Sequence, residues 1–201
     1  MKLHYSPTSP FVRKVAVAAQ EKGLSDRIEL VPTNPHAGGE LKVNNPLEKV
    51  PCLVADDGTA LYDSFVICSH LDGLGAGAKL VPDKAEARMD VLRRHALADG
   101  IMEAAVLCVM EARRPEDKRW ADATARQRAK IERAIDALEG ETGAMGNDVN
   151  LSTIAVGCAL GYVDFRLSDL DWRKGHPKLA AWYEAFARRP SMMGSAPKDP
   201  A

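Results

Sequence analysis

Ser9 and Pro10 stand between a short alternating run, Leu3 and Tyr5, and a second apolar pattern of different period. In that second pattern Val12, Val15, Ala16 and Ala19 recur at i, i+3, i+4 and i+7, one face of a helix. The spacing predicts a helix over Phe11 to Lys22, reached through the turn residues Ser6-Pro7-Thr8-Ser9-Pro10. Serine is a favoured N-cap, and proline suits the first helical position, whose backbone donor would be unpaired anyway. Gly23 sits where a left-handed C-cap belongs. A hydroxyl is therefore mounted beside free backbone N–H groups at the positive end of a helix dipole, a place that favours anions. A strand leading straight into it makes a candidate active site.

Other chemistry is harder to find. Cys52, Cys68, Cys108 and Cys158 are widely scattered, with no Cys-x-x-Cys and no histidine at ligand spacing. That pattern predicts buried reduced thiols rather than a zinc site or a dithiol centre; Cys52, which follows Pro51, is the one candidate for redox work. No Gly-rich phosphate loop or dinucleotide fingerprint is present, and no Ser-His-Asp arrangement is evident. Neither metal nor nucleotide is implied.

The elements that position Ser9 come in two groups. Up to residue 80, strand and helix signals alternate. Ile28-Glu29-Leu30-Val31 reads as a strand, and Pro32 to Asn45 as a loop rich in Pro, Asn and Gly. Cys52 to Ala55 and Ala60 to Tyr62 flank Asp56-Asp57-Gly58-Thr59, a hairpin with a strong Asp-Gly turn signal. Asp63 and Ser64 then open a helix through Phe65, Ile67, Cys68 and Leu71, leaving by Gly73 to Gly77. This order describes a small α/β layer. After the linker Leu80-Val81-Pro82-Asp83, strand signals vanish. Helical patterns cover Lys84 to Arg113, Glu116 to Glu139 and Asn150 to Leu167, the last apolar from Ile154 to Val163 and expected to be central. A final helix starts at His176-Pro177, runs through Leu179, Trp182 and Phe186, and closes before Pro190; the tail from Ser191 is expected to fray.

Composition fits a soluble globular chain: 201 residues, 46% hydrophobic, 27% charged, formal net charge −1. Neither half is a polycation, so nucleic acid is not an expected partner. No apolar run reaches the length of a membrane span, and Met1-Lys2 is not followed by a signal-peptide core. The chain is read as cytoplasmic.

An α/β unit followed by an all-helical one, with this opening, resembles the glutathione S-transferase superfamily over essentially the whole chain. Thr8-Ser9-Pro10-Phe11-Val12-Arg13-Lys14-Val15 looks most like the serine-type and bacterial members. Asn45-Pro46-Leu47-Glu48-Lys49-Val50-Pro51 is similar to the segment before the third strand, and Asp63-Ser64 to the pair opening the third helix. Asn150-Leu151-Ser152-Thr153-Ile154-Ala155 is similar to the start of the buried helix. One departure stands out. The family places Asp three residues after the capping hydroxyl, and here Val156 follows Thr153 at that spacing. The capping box is therefore expected to be incomplete.

The resemblance implies a thioredoxin-like domain over 1–80 and an all-helical domain over 84–201. It implies glutathione as co-substrate, a hydrophobic electrophile as second substrate, and a homodimer. Ser9 would donate a hydrogen bond to the glutathione sulfur, with Thr8 and Tyr5 as competitors; Tyr5 is read as packing inward from the strand. Phe11 would border the same site. A cis Val50-Pro51 bond would turn the Val50 main chain toward the cysteinyl unit of glutathione. Ser64 would meet the γ-glutamyl carboxylate, Asp63 the ammonium, and Lys49 the glycyl carboxylate. His36 borders the site in this reading. His95, Asp99 and Met102 lie three or four apart on the helix that borders the electrophile in the family, and no motif of their own assigns them a role. Arg13 is read as a structural ion-pair partner, and Trp172 and Trp182 as core. Three rival readings use the same fold: a glutathione-dependent isomerase or peroxidase, a ligand-holding protein with negligible turnover, and a non-catalytic partner of RNA polymerase of the starvation-protein type. Retention of Ser9, Lys49 and Asp63-Ser64 argues against the last.

Overall fold

The structure, a computed structural model, describes residues 1–34 and 39–199. Among them β1 (Lys2–Tyr5), β2 (Glu29–Pro32), β3 (Cys52–Val54) and β4 (Ala60–Leu61) form one sheet in the order β2-β1-β3-β4. β1 pairs parallel with β2 and antiparallel with β3, and β3 pairs antiparallel with β4. Helices α1 (Pro10–Glu21), α2 (Glu40–Asn44) and α3 (Ser64–Leu74) belong to this layer. The helical part comprises α4 (Ala85–Ala112), α5 (Ala121–Met145), α6 (Leu151–Arg166), α7 (Pro177–Ala187) and α8 (Pro190–Gly194). A small mixed-sheet domain is thus followed by a helical one, as the alternation and then loss of strand signals predict.

Helix α6 is the axis of the second part. Every residue from Leu151 to Val163 is buried, so its apolar run is a helix covered on all sides, packed by α4, α1 and α7. Trp172 and Trp182 lie in the core, as expected.

Four details differ from the sequence reading. The stretch read as loop contains α2, a single turn anchored by Leu41, which is 2% exposed. Helix α5 starts later than Glu116, after a 3-10 turn, and continues through Gly140 and Gly143. Its buried stripe Ile131, Ile135, Leu138 and Met145 outweighs the glycine penalty, and the helix stops at Gly146, where φ is +65°. The tail does not fray at Ser191 but forms α8. There Arg189 and Ser191 bond the Glu21 carboxylate, and Arg13 donates to the Met192 carbonyl at 3.0 Å. Finally, the α6 capping box is complete. Its N-cap is Asn150 rather than a hydroxyl residue; Asn150 Oδ1 accepts from Ser152 N and Thr153 N, and Thr153 Oγ1 accepts from Asn150 N.

One chain of contacts sets helix direction. Lys22, the C-cap of α1, pairs with Asp72 at 3.0 Å. Asp72 accepts from Leu80 N and Val81 N, and the Leu80 carbonyl accepts from Leu151 N, the first residue of α6. The end of α1 therefore sits at the start of α6 and close to the start of α4. Further back along α1, Lys14 meets His95 and Asp99 within α4. Both α4 and α6 run antiparallel to α1, so their C-terminal ends are carried toward the mouth of α1.

Candidate active site

Three chain segments converge on one edge of the sheet. β1 leads through Tyr5 into the turn before α1, and its partner in register, His4 opposite Cys52, places Pro51 beside that turn. β4 is aligned with β3, Leu61 opposite Leu53, and so delivers Tyr62 and Asp63 to the same edge. Two helix mouths and one loop meet there.

At the first mouth Ser9 is the N-cap, in extended backbone, and its hydroxyl oxygen accepts from Val12 N at 3.3 Å. Acceptance uses a lone pair and leaves the hydroxyl proton free to be donated elsewhere. The first turn of α1 contains no acidic residue, so the positive helix end has no anion of its own. Thr8 shares a hydrogen bond with Ser6 at 3.3 Å. Phe11 is half-buried against the core, as is Tyr5, in line with the inward packing expected of it. The α1 terminus closes as expected, with Gly23 at φ +68°.

At the second mouth Asp63 is the N-cap of α3, exposed, and accepts from Phe65 N at 3.0 Å; Ser64 is 2% exposed. Between the mouths runs the loop from Asn45 to Pro51, with the Val50-Pro51 bond cis as expected; Tyr62-Asp63 is cis as well. Among the described residues no hydrogen bond engages the Val50 main chain, and the Lys49 ammonium has no ion pair. The loop is held by Asn45, 1% exposed, whose side chain accepts from Leu47 N at 3.0 Å and donates to the Lys49 carbonyl at 2.8 Å. Sequence reasoning missed this clamp, although Asn before Pro is a turn signal.

Behind both mouths lies a polar cluster that the sequence reading did not assemble. Lys14, fully buried, donates to Asp99 Oδ1 at 2.6 Å and Oδ2 at 2.8 Å, and lies 2.9 Å from His95 Nε2. The His95 ring is 5.2 Å from the Phe65 ring in α3. Burial and then the Lys14 charge push the His95 imidazolium down to about 3, the negative charge of Asp63 opposing. His95 is therefore neutral and offers Nε2 as an acceptor to the lysine. Burial raises the Asp99 carboxyl while Lys14 holds it back. The available signal was an i, i+4 His–Asp pair on one helix facing a lysine in an otherwise apolar stretch. Met102 is fully buried in the core.

Arg13 differs from the expectation of an ion pair. It bonds Met192 O and Ser195 Oγ, and among the described residues it has no carboxylate partner. Its guanidinium occupies the space that a side chain at Gly161 would fill. Cys52, Cys68, Cys108 and Cys158 are free and buried. Burial pushes the Cys52 thiol up to about 11 and Cys68 up to about 12, so neither is a thiolate at neutral pH. His36 lies outside the described residues. Among the described residues, no three His, Cys, Asp or Glu side chains gather as a metal site, and no helix is long and apolar enough to cross a membrane.

Comparison with known proteins gives the same picture over nearly the full chain. Residues 8–74 match the family described as glutathione S-transferase, N-terminal domain, and residues 121–185 its C-terminal domain. The Escherichia coli (strain K12) GST-like protein YibF is 38% identical over 201 residues, 98% of each chain. A glutathione transferase family member from Pseudomonas fluorescens Pf-5, solved with bound glutathione, is 43% identical, with TM-score 0.94 over 98% of this chain and 99% of that one. A structure from the same organism, solved with bound S-(propanoic acid)-glutathione, is 42% identical, with TM-score 0.91 over 99% and 100%.

Proposed function

The chain belongs to the glutathione S-transferase family, and on that premise we propose that it is a glutathione transferase using Ser9 to keep the glutathione sulfur ionised. The observation that carries the reading is the Ser9 hydroxyl, capping α1 with its oxygen while its proton stays available, at a helix mouth without an acidic residue. The glutathione-bound relatives support the choice of ligand.

An unperturbed thiol has a pKa of about 8.5, so only a few per cent is thiolate at neutral pH, and thiolate is the nucleophile. A hydroxyl donor and a positive helix end both favour the anion over the neutral thiol. Each unit by which they lower the pKa corresponds to about 1.4 kcal/mol of preferential binding. Ser9 acts as a donor and is not itself a nucleophile, since among the described residues its side chain meets a backbone N–H and no base. Val50 offers its unengaged main chain to the cysteinyl unit beside cis Pro51. The mouth of α3 takes the γ-glutamyl end: Ser64 and the helix dipole face its carboxylate, and Asp63 its ammonium. Lys49 faces the glycyl carboxylate. Phe11 and Thr8 line the turn, and the electrophile approaches from the helical domain. A cytoplasmic homodimer completes the reading, with sedimentation velocity as its check.

Calorimetric titration with glutathione, followed by Ser9→Ala, tests the assignment. Binding should persist in the variant while thiolate absorbance and turnover fall. Wild-type turnover in the variant across neutral pH would refute the role of Ser9, and no heat of binding in either protein would refute the reading as a whole.

A further inference from the structure

The C-terminal turn of α6 holds an arginine whose surroundings go beyond what the helix needs. The guanidinium carbon of Arg166 lies 3.8 Å over the Phe165 ring, and the Phe165 and Tyr162 rings are 6.4 Å apart. A cation in a last helical turn commonly serves the helix's own carbonyls. Arg166 instead donates from Nη2 to the carboxylate of Asp199 at 2.7 Å, beyond α8. Its Nε is buried and, among the described residues, is the one buried side-chain nitrogen or oxygen with no partner. A guanidinium presents its donors as a fork suited to a planar carboxylate. Here one arm of the fork holds a carboxylate and Nε is unused.

The position of this fork is fixed by the antiparallel run of α1 and α6. With the end of α1 at the start of α6, the last turn of α6 lies toward the mouth of α1, where Ser9 is the N-cap. The tail reaches it along α1: Arg13 Nη2 holds Met192 O, Arg13 Nε donates to Ser195 Oγ at 3.4 Å, and Asp199 follows. Arg113 is the C-cap of α4, and its charge acts on Tyr162. The Tyr162 phenol feels both guanidinium groups: burial pushes it up, and Arg166 and Arg113 oppose that rise. The last turn of α6 thus gathers two guanidinium groups and two aromatic rings at the end of the helix that lies toward the mouth of α1. Asp199 is 64% exposed, so its pair with Arg166 is a weak, exchangeable contact.

We propose that Arg166 is a specificity residue that seats a carboxylate carried by the electrophile, and that Asp199 is an internal stand-in which that carboxylate displaces. The substrate class is then small electrophiles bearing an acid group a few bonds from the carbon that the thiolate attacks. The inference rests on the glutathione reading above and deepens it.

Two conjugates of equal size separate the two ideas: S-(2-carboxyethyl)glutathione and its amide, S-(2-carbamoylethyl)glutathione, each titrated calorimetrically beside glutathione itself. The wild-type protein should bind the acid at least tenfold more tightly than the amide. Arg166→Met should bring that ratio close to one, and Arg166→Lys should leave it intermediate, since a point charge remains without the fork. Asp199→Asn should move it the other way, raising affinity for the acid severalfold and leaving the amide alone. Equal affinities in the wild type, or a preference that survives Arg166→Met in protein that still binds glutathione, overturn the proposal while the glutathione reading stands. If glutathione itself fails to bind, that reading falls and takes this one with it. The opposite sign expected for Asp199→Asn guards against a variant that has merely lost its fold.

Discussion

At its first turn α1 offers a serine hydroxyl and backbone donors with no acidic side chain among them. From Lys14 onward the same helix is fastened on every side. Lys14 is bound to Asp99 and His95, Glu21 to Arg189 and Ser191, and Lys22 to Asp72. These contacts reach α3, α4 and α8, so they tie the sheet domain to the helical one. The mouth is left open because the body needs no help from it. A donor meant for a ligand's sulfur is of use only if it stays where it is without the ligand, and the ion pairs behind it supply that fixity. Stability and chemistry should therefore separate along one helix.

The largest effect expected is on the fastened side. Asp99→Ala leaves a fully buried ammonium with only a neutral imidazole as partner. Removing one member of a buried pair is strongly destabilising, here by about 3 kcal/mol. Urea unfolding should show it as a lower midpoint with unchanged slope. Replacing both partners, Lys14→Met with Asp99→Leu, should recover most of the loss, because no charge is then stranded. A single variant within about 1 kcal/mol of wild type would mean that water reaches the lysine and that the fastening is superficial.

Next comes the open side. Ser9→Ala removes one donor to a developing or resident anion, a loss of roughly a hundredfold in turnover by analogy with other preorganised donors. Its effect on stability should stay near the ~1 kcal/mol of an N-cap. Paired measurement of turnover and urea midpoint on Ser9→Ala and Asp99→Ala breaks the comparison if both variants lose both properties in proportion.

How much of this was legible beforehand follows the range of each interaction. The Ser9-Pro10 helix start, the Asp-Gly hairpin and the buried run of α6 are local patterns, and each appears where the residues place it. The Asn45 clamp and the Asn150 cap are local too, but an asparagine amide serves turns and helix caps alike, so its partners follow only from the backbone around it. Lys14 with His95 and Asp99 was legible only in part: the i, i+4 His–Asp pair lies on one helix, but its lysine is distant in sequence and meets it only once α4 runs back along α1. Arg13 shows the same limit: its charge suggested an ion pair, and its partners proved to be a carbonyl and a hydroxyl of α8. The tail was illegible for the complementary reason, its anchors lying on α1.

A smaller effect, set by pH, probes the cluster from His95. Its folded pKa of about 3 lies below the usual 6.5, so the unfolded chain binds a proton that the folded chain refuses. Stability is then complete above 6.5 and falls as pH drops below it, by about 1.4 kcal/mol per pH unit. The neighbours facing the ring are Lys14, Asp99 and Asp63. Glu21, Asp72 and Glu141 have lowered carboxyl values, so their losses begin only nearer the ordinary carboxylate range. His176 is raised, and its contribution is present below 6.5 and lost as pH rises. In the window from 6.5 down to about 5 the fall comes from His95, with the raised Asp99 carboxyl acting in the opposite sense, and His95→Gln should remove the fall. An unchanged slope in that variant would show that the imidazole already reaches water.

The smallest effect sharpens the contrast by setting one helix mouth against another. At the start of α6, Asn150 Oδ1 accepts from Ser152 N, Ser152 Oγ and Thr153 N, and Thr153 Oγ1 accepts from Asn150 N. That mouth is closed by its own side chains, where the mouth of α1 has one acceptor on one N–H. Asn150→Ala should lower stability by about 1 to 2 kcal/mol, at the upper end because the cap and its hydroxyl neighbour are lost together. Glutathione affinity should not move, since this end of α6 lies beside the tail of α1 and away from Ser9. The measurement is a urea midpoint beside a calorimetric titration on the same preparation. A fall in affinity with the midpoint unchanged would mean that the two mouths are coupled through α6, and the division of labour along α1 would then be too simple.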